Sequence, residues 1–173
     1  MKVVRFGAFE TNSSSMHSII VVGKPNSNDN FTDGLKIVDG KLIIDDIYDI
    51  EFGRAPFEIL STFKEKLMYA IAAYSKEEII KTVGELIKIN EIVYPNVWYF
   101  GESDSHEFHG DIDHQSVGVL KNFLACNHVN LRDFLTQDKY MVVIDGDEYC
   151  IFDDLVQSGI VNDEIIKERE GDE

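Results

Sequence analysis

Two stretches of this chain concentrate the groups that could do chemistry. The first is Phe9-Glu10-Thr11-Asn12-Ser13-Ser14-Ser15-Met16-His17-Ser18, where an imidazole follows an asparagine and three consecutive serines. A serine hydroxyl donates and accepts hydrogen bonds, and a neutral imidazole does the same through its two nitrogens. Such a loop can cradle a phosphate, orient a substrate beside an acid/base histidine, or stiffen its own backbone through Ser and Asx turns. A serine nucleophile with His17 as its base is also conceivable, although the sharp Gly-x-Ser-x-Gly elbow is missing. Strand connections are ordinarily short and use Gly, Asn or Asp, so this one is overfurnished for a turn.

The second stretch, residues 101–116, holds His106, His109 and His114 among five carboxylates. Imidazole and carboxylate suit zinc, iron or manganese. Neither a His-x-x-x-His pair nor a Cys pair is present, however. The expectation is a solvated acidic loop with no metal and no cofactor, in which Asp113 or His114 caps the next helix.

The elements that must position these groups follow from periodicity and turn chemistry. Residues 2–6 and 19–22 read as strands on either side of the serine loop. Residues 35–38 and 41–44 flank Asp39-Gly40, a hairpin signal. Pro56 suits the first turn of a helix whose apolar stripe is Phe57, Leu60, Phe63, Leu67, Ala70, Ile71 and Tyr74. Ser75 and Glu78 form a capping box for a second helix, in which Gly84 costs about 1 kcal/mol against Ala. Residues 97–100 read as a buried strand. A third helix buries Val117, Leu120, Phe123 and Leu124, and Asn130 caps a short fourth. Residues 139–144 and 148–152 flank a last hairpin turn, Asp145-Gly146-Asp147. The pattern predicts an α+β fold, a mainly antiparallel sheet of short strands with two or three helices packed on one face. It forms a single domain over residues 1–162, followed by a charged tail at 163–173.

Composition narrows the classes. Hydrophobic residues at 44% and aromatic residues at 11% are those of a globular chain, not a disordered one. No run approaches the roughly 20 apolar residues of a membrane span, and the N-terminus lacks the apolar core of a signal peptide. A cytoplasmic protein without a membrane partner is expected. Cys126 and Cys150 match no metal spacing and read as buried thiols. The net charge is −16, unevenly placed: residues 1–90 carry 11 Lys/Arg against 13 Asp/Glu, and residues 91–173 carry 5 against 19. The second half therefore repels nucleic acid and attracts basic proteins, although acidic surfaces also serve solubility.

The first segment resembles the Phe-Glu-Thr-Asn-Ser-Ser-Ser-x-His-Ser signature of a family of small proteins from phages and Gram-positive bacteria. Further matches follow in order: Glu51-Phe52-Gly53, Lys66-Leu67-x-Tyr69, Ile112-Asp113-His114-Gln115-Ser116 and Phe134-Leu135. The likeness spans about residues 1–150. The chain departs from it at Arg54, where the family often has an aromatic. The resemblance implies a phage-associated context, including anti-defence (anti-CRISPR) proteins, and singles out these positions without supplying an activity.

Two imidazoles and a lysine are a known set for metal-free phosphodiester cleavage in RNA, with one acid, one base and one cation for the transition state. On that expectation His17 and His114 share the acid/base roles and Lys66 stabilises developing charge. Asn12, Ser13, Ser14, Ser15, Glu51, Asp113, Gln115 and Ser116 then hold substrate, either RNA or the guide of a host RNA-guided nuclease complex. The alternative is a non-enzymatic acidic inhibitor that imitates nucleic-acid charge on a host nucleic-acid-processing protein. A third reading makes the serine loop a brace for the fold, and Lys66 a solvated lysine on an amphipathic helix.

Overall fold

The computed structural model describes residues 16–21, 30–53, 58–98, 105–113 and 116–145. The strands expected at 2–6 and 148–152 and the tail at 163–173 lie outside the described residues. The architecture is α+β. Strand β1 (Met16–Val21) pairs antiparallel with β10 (Tyr140–Asp145), which also pairs antiparallel with β5 (Glu58–Leu60), so β10 is central. A second sheet has the order β2 (Ile37–Val38), β3 (Lys41–Ile43), β6 (Glu91–Val93). The β2–β3 turn uses Asp39 and Gly40 at φ 50° and 75°, the two left-handed residues that a tight hairpin needs.

Two ladders are parallel within this mainly antiparallel arrangement. One is β3–β6, whose crossover contains helices α1 (Phe63–Ala73) and α2 (Lys76–Ile87). The other is β4 (Glu51–Phe52) with β9 (Asp111–Ile112). Strands β7 (Asn96–Trp98) and β8 (Ser105–Glu107) form an antiparallel pair. Helices α3 (Val119–Asn127) and α4 (Leu131–Thr136) precede β10, and Asn130 caps α4 as expected by accepting from the Asp133 N–H.

Helix α1 starts later than the Pro56 signal suggested. The hydroxyl of Thr62 accepts from the Glu65 N–H, and the Glu65 carboxylate accepts from the N–H groups of Ser61 and Thr62. That capping box fixes the first turn at Phe63 and frees residues 58–60 to join β10 as a strand. Lys66 through Ile71 are all buried. Six consecutive residues exceed one 3.6-residue turn, so α1 is covered on every side. Helix α2 is one-sided, burying Ile79, Val83, Gly84 and Ile87.

Three further expectations are corrected. Val117 is 54% exposed because α3 begins after Gly118, so it stands outside the buried stripe. Gly118, not Asp113 or His114, occupies the N-cap position. Cys126 is exposed rather than buried.

Gly84 is required rather than costly. The chain turns back through Lys88 at φ 59° so that the Ile89 N–H bonds to the Gly84 carbonyl at 2.9 Å. A Cβ at position 84 would lie 2.8 Å from the Ile89 carbonyl oxygen. Gly84→Ala is therefore expected to lower stability by about 1–3 kcal/mol in urea unfolding, against the gain that helix propensity alone predicts. An unchanged or raised midpoint would show that the returning chain moves aside freely.

Candidate functional site

His17 is the second residue of β1, and its position is fixed from two directions. Pairing with β10 places it opposite Ile144. Its backbone N–H donates to Ser116 Oγ at 3.1 Å, which joins the start of β1 to the turn after β9. That turn is itself held: the Asp113 N–H bonds to the Phe52 carbonyl at 3.0 Å, and the Ser116 N–H bonds to the Asp113 carbonyl at 2.7 Å. The His17 side chain then meets α1. Its Nδ1 shares a 2.9 Å hydrogen bond with the Tyr69 hydroxyl, and both residues are fully buried. The Phe52 ring packs edge-on against Tyr69 at 5.1 Å.

Burial decides the charge state of this centre. It lowers the His17 pKa from 6.5 to about 4, and the nearby negative charge of Asp113 offsets only part of the effect. Burial also pushes the Tyr69 phenol up, so imidazole and phenol are both neutral at pH 7. Neutral imidazole is the form a general base needs, but a pKa near 4 makes it a weak one. Full burial also keeps His17 from touching a solvent-borne substrate in this conformation.

Lys66 lies one turn earlier on α1 and serves different partners. Its ammonium donates to the carbonyls of Phe134 at 3.0 Å and Gln137 at 2.9 Å, at the end of α4. The ammonium stands 5.7 Å from the Phe134 ring centre. Burial lowers its pKa from 10.5 to about 8, with Asp138 and Glu65 pulling back. The expectation of a lysine solvating one helix face is thereby corrected, since Lys66 is 0% exposed. The last carbonyls of a helix have no partners of their own, and Lys66 supplies them from another element.

The structure thus brings Tyr69, Asp113 and Ser116 together around His17 and commits Lys66 to α4. Glu51 stands apart, exposed on β4 beside Asp111. Asn12, Ser13, Ser14, Ser15, His114 and Gln115 lie outside the described residues. Tyr69 is the residue that site reasoning missed. The signal was its place three residues after Lys66, a spacing that puts both on adjacent turns of one helix. Among the described residues, no three His, Cys, Asp or Glu side chains converge as a metal site. No helix among them is long and apolar enough to cross a membrane. No protein-family model, curated protein or solved structure matches the chain.

The buried imidazole makes stability depend on pH in a defined direction. The unfolded chain protonates His17 near 6.5, whereas the folded protein resists until about 4. Stability is therefore lost as pH falls through that window, by about 3 kcal/mol in total from this residue. Denaturant titrations from pH 7 to 4 are expected to show a shallower decline for His17→Asn than for the natural chain. Equal declines would remove His17 as the cause. Tyr69→Phe, which strips the phenol from Nδ1, is expected to cost about 1–3 kcal/mol at pH 7, read from the same unfolding curves.

Proposed function

We propose that this protein is a non-catalytic acidic binder that engages a basic surface of a nucleic-acid-processing protein, presenting carboxylates where that partner holds phosphates. One observation carries the reading: His17 and Lys66 are both 0% exposed and hydrogen-bonded inside the fold. The catalytic candidates His17 and Lys66 are thus inside, on a chain of net charge −16. The segment from β3 to β4 supports it further. Asp45, Asp46, Asp49 and Glu51 are exposed along it, with Tyr48 75% exposed among them. The parallel β4–β9 pair sets Glu51 beside Asp111, another exposed carboxylate. Like charges side by side oppose the pairing that holds them, and a basic partner relieves that repulsion. The resemblance to a phage-associated family suits a host nucleic-acid enzyme, such as an RNA-guided nuclease, as the target.

A second reading keeps the chemistry at His17, favoured by the meeting of His17, Asp113 and Ser116 at one point of the fold. On it the protein is a metal-independent phosphodiesterase acting on RNA or a guide RNA. His17 and His114 exchange the proton, and residues 12–15 hold the phosphate. Catalysis then requires an opening that exposes His17.

The two readings part in one set of measurements. Binding to an RNA-guided nuclease is expected to compete with its guide RNA. It is also expected to weaken roughly tenfold or more between about 50 and 200 mM salt. Glu51→Gln with Asp111→Asn is expected to slow association. A salt-insensitive interface would sink the first reading. Guide cleavage in the presence of chelator, lost in a His17→Ala variant of native circular dichroism, would establish the second in its place.

A further inference from the structure

Away from His17, the junction of α1 and α2 holds a cleft of about 460 Å³, within the range of small-ligand sites. Its walls are the last turn of α1, the first residues of α2, Tyr94, and the His109–Gly110 backbone. One wall is held by close contact. Gly110 has φ 97°, and a Cβ there would lie 2.9 Å from Ala72 Cα, so the strand connection presses directly on α1. The His109 ring meets Tyr94 edge to face at 5.0 Å.

Two tyrosines line the cleft, and each carries an ammonium on its ring. Lys76 Nζ lies 4.3 Å from the Tyr94 ring centre, and Lys121 Nζ lies 4.7 Å from that of Tyr74. Lys76 also donates to Glu107 Oε1 at 2.9 Å. Burial, with the negative charges of Glu107 and Glu77, pushes the Tyr94 phenol up to about 12. Aromatic faces backed by carboxylates are the surroundings that select organic cations. The chain's own lysines already use them in that way.

We propose that this cleft recognises an alkylammonium or guanidinium group, from a free polyamine or from a Lys or Arg side chain of a partner, and that Lys76 occupies the place in the unbound protein. Lys76 sits on the first turn of α2 with its side chain 29% exposed, so it can swing into solvent. The incoming cation then takes the Tyr94 face and the Glu107 carboxylate. The chain's negative field steers cations towards it. A diffuse acidic surface needs no cleft, so this inference is separable from the binder reading above.

The test is calorimetric titration of the whole chain with spermidine and, separately, with N-acetyl-arginine amide at about 150 mM salt, where long-range attraction is screened. One saturable site is expected for at least one probe. Lys76→Gln is expected to tighten it roughly threefold or more by removing the occupant, and Glu107→Gln to weaken it by a similar factor. Lys41→Gln and Glu91→Gln, at an exposed ion pair elsewhere, are expected to leave the affinity unchanged. Saturation by spermidine alone assigns a polyamine, and by the arginine amide alone a partner's side chain. Absence of saturable binding, weakening by Lys76→Gln, or an equal response at Lys41 and Glu91 would overturn the proposal. All four substitutions are at partly or fully exposed positions, and far-UV circular dichroism checks that each variant is folded.

Discussion

The burial of α1 on every side is the constraint from which the rest of the structure follows. A helix covered all round must find an internal partner for any polar group it carries, because an unsatisfied one costs several kcal/mol. Helix α1 carries two such groups, the Lys66 ammonium and the Tyr69 hydroxyl. Lys66 reaches the carbonyls that end α4. Tyr69 reaches the imidazole at the start of β1, whose backbone is tied to Ser116 and through that turn to Phe52. Two polar side chains three residues apart thus tie α1 to α4 and to β1, and the backbone of His17 and Asp113 carries the link on to β4.

The same burial decides what chemistry remains. At His17, desolvation opposes the charged form and the attraction of Asp113 favours it, and desolvation wins. At Lys66 the two carboxylates nearby recover only part of the loss. Groups that look reactive as residue types are thus neutral or occupied once inside. Carboxylates pay no such penalty at the surface, where water and counterions solvate them. The electrostatic character of the protein is therefore set outside its core, along the β3–β4 segment and around the α1–α2 cleft.

Local signals in the sequence proved legible where the interaction itself is local. The Asp39-Gly40 hairpin, the Ser75–Glu78 capping box and the Asn130 cap each involve residues within four positions of one another. The first helix was misplaced because Phe57 and Leu60 fit helical spacing, while Leu60 belongs to a strand paired with β10, where it lies opposite Val142. Gly84 looked like a flaw in α2 because propensity sees only the helix and not the chain returning against it. Lys66 read as either a transition-state cation or a solvated lysine, because residue type and helical spacing do not show burial. Only α4, packed against α1, supplies the carbonyls that hold it inside.

By itself the sequence determined the α+β class, the starts of α2 and α4, the Asp39-Gly40 turn and the acidic balance, because these depend on propensity, capping and composition. What the candidate site residues do was decided by the tertiary structure. Charge state and access depend on how much water each group retains, and that is a property of packing between distant segments. Packing took His17 and Lys66 out of solvent, gave His17 the Tyr69 hydroxyl and Lys66 the carbonyls that end α4, and left carboxylates on the surface.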